Sequence, residues 1–147
     1  MLETDKPTLG RLEQRLAAIG TPHGCVRLEG EGMTAFLAQG GTNLLFFAED
    51  PGKVPETWDL AVILVEALKA QSAPVRIGLL PPPLSREWAP RYGVRVWPAL
   101  VALRDGGYLG TLEGLQDWGI FSRRLPELLN APVNRPPGVG TPVVTQT

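Results

Sequence analysis

The stretch Ala89-Pro90-Arg91-Tyr92-Gly93-Val94-Arg95-Val96-Trp97-Pro98 decides how this 147-residue chain is read. A Tyr-Gly turn leads into an apolar strand expected between Val94 and Leu103. Arg104-Asp105-Gly106-Gly107 then signals a tight hairpin, and Tyr108 to Leu112 forms the returning strand. That makes an antiparallel pair. Upstream, Asn43-Leu44-Leu45-Phe46-Phe47-Ala48 is a nearly continuous apolar run between turn residues, the pattern of a strand covered on both faces. Val75 to Leu80 is another strand, stopped by Pro81-Pro82-Pro83 because proline cannot donate to a ladder. Cys25 to Leu28 is a short candidate strand nearer the start.

Helical periodicity fills the gaps. Leu9, Leu12, Leu16 and Ile19 share one face of a 3.6-residue repeat and Gly20 ends it, which predicts a helix over 8–19. A second small helix is expected over 33–38. After the turn-rich Glu49 to Val54 comes a helix whose stripe is Leu60, Ile63/Leu64 and Ala67/Leu68. Ser85 is expected to cap a short helix after the prolines, and Asp117 to cap a closing helix with Phe121, Leu125, Leu128 and Leu129 inward and a kink or break at Pro126. Alternating elements followed by a terminal hairpin predict an α/β fold, a mixed central sheet with helices on both faces. Residues 1–130 read as one domain, and 131–147, with four prolines and few large apolar residues, as a flexible tail.

Composition narrows the chemistry. The formal net charge of −1 offers no basic stripe for a phosphate backbone, so nucleic acid is not an expected partner. The start, Met1-Leu2-Glu3-Thr4-Asp5-Lys6, lacks the basic and apolar regions of a secretory signal, and Leu60 to Val65 is far too short to span a bilayer. A cytoplasmic location and no membrane span are expected. Cys25 and His23 are the only residues of their types, which excludes an internal disulfide, a CxxC pair and a cysteine-rich or two-histidine metal site. No cofactor or metal is expected. His23, between Pro22 and Gly24, reads as an exposed turn residue.

Two segments, Phe47 to Val54 and Ala89 to Pro98, resemble thioredoxin, with the likeness covering roughly residues 24–130. The first looks like the strand end that delivers the thioredoxin Cys-Gly-Pro-Cys motif and the second like the approach to its cis-proline, so the resemblance implies a cis Trp97-Pro98 bond. Pro51 and Val54 stand where the two cysteines would be, and neither can become the thiolate that attacks a disulfide. More narrowly, Phe46-Phe47-Ala48, Asp59 to Leu64, Arg95 to Val101, Gly107 to Gly110 and Gly114 to Trp118 resemble the HyaE/HupG family of hydrogenase expression proteins. That family is thioredoxin-like and lacks the dithiol. The resemblance implies a non-catalytic, cytoplasmic chaperone for [NiFe] hydrogenase maturation, whose partner is the small-subunit precursor with its twin-arginine signal peptide, alongside other maturation factors.

A twin-arginine signal presents two guanidinium groups beside an apolar stretch, so its receptor needs carboxylates next to apolar side chains. Glu49, Asp50, Glu56 and Asp59 cluster near the old dithiol position, and Trp58, Trp97 and Pro98 supply the apolar part of the candidate site. Competing readings stand beside this one. Glu56 and Asp59 also suit the first turns of a helix, where acids gain about 0.3–1 kcal/mol from the macrodipole. Trp58 also suits a core position, and Trp88 and Trp118 read as structural. Two other functional classes remain open: a monothiol redox enzyme using Cys25, and a scaffold subunit pairing through its sheet or through Pro81 to Pro83.

Overall fold

In a computed structural model that describes residues 8–138, five strands form one mixed sheet. They are β1 (Gly24–Arg27), β2 (Thr42–Phe47), β3 (Val75–Leu80), β4 (Ala99–Arg104) and β5 (Gly107–Glu113), in the order β1-β3-β2-β4-β5. β2 lies at the centre, parallel to β3 and antiparallel to β4. β1 adds to β3 in parallel, and β5 closes the other side as the hairpin partner of β4. The helices are α1 (Leu9–Ala17), α2 (Gly30–Ala38), α3 (Pro55–Leu68), α4 (Pro82–Trp88) and α5 (Trp118–Leu129), and a 3-10 turn over Ala89–Tyr92 follows α4.

Period-2 alternation along β2 builds both halves of the core. Leu44 and Phe46 point to the side covered by α1, α3 and α5, where they meet Leu12, Leu60, Leu64 and Phe121. Leu45 and Phe47 point to the side covered by α2 and α4, among Met33, Phe36, Leu84 and Tyr92. On that second side the Tyr92 ring stacks on Tyr108 with centroids 6.0 Å apart and meets Phe47 edge-on at 6.2 Å. Gly78 of β3 completes this face, since a Cβ there would lie 2.8 Å from Leu28 Cδ1 and 2.9 Å from the Phe36 ring.

The local signals behave largely as read. Thr8 caps α1 through the Arg11 N–H, and Asp117 caps α5 through the Ile120 N–H at 3.0 Å. Asp105 (φ 51°) and Gly106 (φ 82°) supply the positive-φ pair that a two-residue hairpin requires. The Trp97-Pro98 bond is cis, as the resemblance implied, and Thr21-Pro22 is a second cis bond that the sequence reading did not anticipate.

Four local expectations are corrected or narrowed. Ser85 does not cap α4: the helix starts at Pro82 after Pro81, and Ser85 is a buried residue inside it. Proline already has the φ of a first helical turn and its missing N–H is not needed there. Pro126 does not end α5, which runs through it to Leu129. Strand β4 begins only at Ala99, leaving Val94 to Pro98 as a connection. His23 is buried, not an exposed turn residue. Its Nδ1 accepts the Val75 N–H at 3.0 Å and its Nε2–H donates to the Gln71 carbonyl at 3.0 Å, which fixes the neutral tautomer and ties the start of β3 to the segment before β1.

Of the segment expected to be a flexible tail, residues 131–138 lie against the domain. The Asn134 N–H donates to the Tyr108 carbonyl at 2.7 Å, and Arg104 Nη2 donates to the Ala131 carbonyl at 2.6 Å. This covers part of the open edge of β5, where unpaired backbone groups would otherwise invite another chain. Residues 139–147 lie outside the described part.

The His23 bridge carries a stability prediction. His23→Ala strands the buried Val75 N–H, and urea unfolding should show a loss of about 1–3 kcal/mol. His23→Asn, whose side-chain oxygen can stand in for Nδ1, should recover part of it. An unchanged midpoint for the alanine variant would show that water replaces the imidazole without cost.

Candidate functional site

The strand register collects five connections at one edge of the sheet. Phe47 pairs with Leu80 and with Ala99, and Ala99 pairs with Glu113, so the ends of β2, β3 and β5 and the start of β4 lie side by side. Arg27 at the end of β1 pairs with Leu79 and joins them. The edge therefore carries Leu28 to Glu29, Ala48 to Val54, Pro81, Val94 to Pro98 and Gly114 to Asp117. In open sheets with parallel strands this carboxyl-end edge is where ligands dock.

Residue 49 is the first functional position on it. The Glu49 carboxylate is largely shielded, its side chain only 17% exposed, and both oxygens lie 2.7 Å from Nη2 of Arg86 on α4. Asp50 Oδ1 accepts the Gly52 N–H at 2.9 Å, and the Asp50 carbonyl accepts the Lys53 and Val54 N–H groups, so this residue builds the turn that launches α3. Pro51 is buried, and Val54 is the residue just before α3.

Val94 to Pro98 face this turn from the other side of α4's anchor. The Trp97 indole N–H donates to Ser85 Oγ at 2.6 Å, so the hydroxyl expected to cap a helix instead holds the tryptophan beside the cis-proline. Neighbouring residues Ser85 and Arg86 thus tie α4 to both Trp97 and Glu49. Glu113 locks the connection from β5: its Oε2 accepts the N–H groups of Arg95 at 2.6 Å and Val96 at 3.2 Å, while the Gly114 N–H donates to the Pro98 carbonyl at 2.7 Å.

These clamps leave apolar side chains in water. Val96 is 49% exposed, Leu115 40%, Trp118 50% and Ile120 36%, and Gly114 brings the two connections together, a Cβ there lying 3.5 Å from Val96 Cγ1. Exposed apolar groups carried on adjoining segments are a candidate interaction surface. Sequence reasoning missed this group, and it placed Trp118 among the structural residues. The available signal was the spacing Leu115, Trp118, Ile120 around a helix cap, where apolar residues precede the inward stripe that begins at Phe121.

Other expected members are placed differently. Trp58 is half-buried and turns toward α1, its ring flanked by the guanidinium groups of Arg11 at 6.0 Å and Arg15 at 5.6 Å. It packs against the core face that contains Leu12 and Leu16, away from α4 and Trp97. Glu56 and Asp59 are exposed on the first turns of α3. The structure thus joins Glu49, Asp50, Trp97 and Pro98 at one edge and does not bring Trp58 to them. Pro81 and Pro83 line a separate cleft of about 350 Å³ at the β1 end of the same edge, with Leu9, Arg27, Glu29 and Glu87.

Cys25 lies on the peripheral strand β1, away from this edge, opposite Ile77. Burial, helped by the nearby Glu13 charge, pushes its thiol up to about 12. At neutral pH it is a packed hydrophobe carrying almost no thiolate.

The architecture defines the class: a thioredoxin-like domain without a CxxC pair. A single-residue variant of thioredoxin from Halobacterium salinarum NRC-1 superimposes with a TM-score of 0.56, covering 75% of this chain and 94% of that one at 18% identity. Residues 14–121 match the family described as hydrogenase-1 expression protein HyaE. The hydrogenase expression/formation protein HoxO of Cupriavidus necator is 33% identical over 141 residues, covering 95% of this chain and 88% of that protein. HoxO of Azotobacter vinelandii is 39% identical over 120 residues, covering 80% and 77%, and HupG of Bradyrhizobium diazoefficiens 29% over 130 residues, covering 86% and 88%. The chain belongs to the HyaE family of hydrogenase expression proteins.

The state of the thiol is directly measurable. In the native protein at pH 8, iodoacetamide should modify Cys25 at least ~10-fold more slowly than in guanidinium chloride, where the thiol ionises near its free value of about 8.5. Equal rates would place Cys25 in an accessible, ionisable setting and revive a monothiol reading.

Proposed function

We propose that this protein is a non-catalytic accessory factor in [NiFe] hydrogenase maturation that binds the small-subunit precursor in the cytoplasm and engages its twin-arginine signal peptide. Membership of the HyaE family over most of the chain supports the maturation role. The observation that carries the binding mode is the composite edge itself: a shielded carboxylate at Glu49, the half-buried Trp97 beside Pro98, and the exposed Val96, Leu115 and Trp118. Guanidinium groups suit the first part and an apolar segment the second.

A non-catalytic role fits the chemistry of the site. Pro51 and Val54 offer no nucleophile, and the one thiol is partly buried on another part of the sheet with its ionisation suppressed. No helix among the described residues is long and apolar enough to cross a membrane.

The test compares three ligands: the precursor, a precursor whose two signal arginines are glutamines, and a precursor without its signal. Binding should weaken from the first to the second and weaken further for the third, because the apolar contacts outlast the loss of charge. Equal affinity for all three contradicts signal recognition and transfers the interaction to the folded part of the small subunit.

A further inference from the structure

We propose that Glu49 is a guanidinium-exchange site and that Arg86 is its resident occupant, which an arginine of the partner displaces on binding. This rests on the reading above and adds how the site is held before the partner arrives.

The ion pair is asymmetric. Glu49 is 17% exposed and Arg86 is 60% exposed, with one guanidinium nitrogen 2.7 Å from each carboxylate oxygen. A carboxylate that is largely shielded from water is better paired than bare, because leaving a shielded charge without a partner is costly. An exposed arginine can leave at little cost, because water rehydrates it and its side chain regains rotamer freedom. The carboxylate is thus fixed and the arginine exchangeable. One guanidinium for another conserves charge and charge-assisted hydrogen bonds, so the exchange needs no unpaired intermediate.

Position supports this assignment over a purely structural ion pair. Arg86 follows Ser85, whose hydroxyl receives the Trp97 indole N–H, so the exchangeable cation sits next to the residue that seats the tryptophan of the apolar part. Arg86 is a surface residue of α4, whose buried residues are Leu84 and Ser85. The site accepts a guanidinium because one already sits there, and a side chain entering from a partner would continue along the edge toward Val96, Leu115 and Trp118.

Resident occupancy reduces apparent affinity in proportion to the fraction of molecules whose site is vacant. Removing Arg86 should therefore strengthen binding, opposite to what deleting an ordinary contact residue does. The probe is a synthetic peptide with two adjacent arginines followed by apolar residues, measured by fluorescence anisotropy against the full chain. Arg86→Ala and Arg86→Gln should each bind it about fivefold or more tightly than wild type. The gain should vanish in a Glu49→Gln background, a coupling that a general charge effect does not produce. The same peptide should raise the melting temperature of Arg86→Ala more than that of wild type, since it restores the missing cation.

Peptide binding by wild type that is unchanged or weakened in both Arg86 variants overturns the exchange and leaves the proposed function standing. An equal gain with and without the Glu49 carboxylate also overturns it. Absence of binding by wild type and both variants removes arginine recognition altogether, and the exchange with it.

Discussion

Everything in this fold depends on β2 being paired on both sides and buried on both faces. Leu44, Leu45, Phe46 and Phe47 have no exposed surface, and their alternation commits one pair to each half of the core. A slip of one residue would send each side chain to the wrong face, so the register is set by burial and not only by hydrogen bonds. Because the strand is pinned, the residues that follow it are pinned too. Glu49, Asp50 and Pro51 emerge at a fixed place beside the ends of β3 and β5 and the start of β4.

Polar side chains then finish what the apolar core begins. Glu113 joins the connection before β4 to the end of β5 through two backbone N–H groups, and the Ser85 hydroxyl holds Trp97 against α4. At the opposite end of the sheet His23 bridges Val75 and Gln71. A disulfide-exchanging relative of this fold would need a thiolate where Pro51 and Val54 stand. Here the same edge is spent on a shielded carboxylate, an anchored tryptophan and exposed apolar side chains. None of those groups is a thiolate.

The sequence made the sheet legible because its signals are local. The apolar run at 43–48, the Asp105-Gly106 turn and the Asp117 cap each depend on neighbours in the chain, and each lies where periodicity and turn chemistry place it. The misread residues are those whose partners are remote. His23 has a turn residue's neighbours, yet its hydrogen-bond partners are 48 and 52 residues away. Ser85 resembles a cap but serves an indole 12 residues on. Trp58 and Trp118 lie otherwise than expected, since which face of a helix meets solvent depends on what packs beside it: α1 flanks Trp58, whereas Trp118 is left half-exposed. Of the candidate site, Glu49, Asp50, Trp97 and Pro98 were legible because they flank strand ends. The patch around Leu115 required the register of β5 against β4.

The central claim is that one edge of a redox-silent thioredoxin-like sheet receives an arginine-bearing, apolar peptide. The four tryptophans report on it directly by their indole N–H resonances. In a titration of the isotopically labelled protein with the precursor's signal peptide, the account predicts that the Trp97 and Trp118 indole signals move together and saturate while that of Trp58 stays in place. Shifts confined to Trp58, or no shift at Trp97 and Trp118 under saturating peptide, would contradict it.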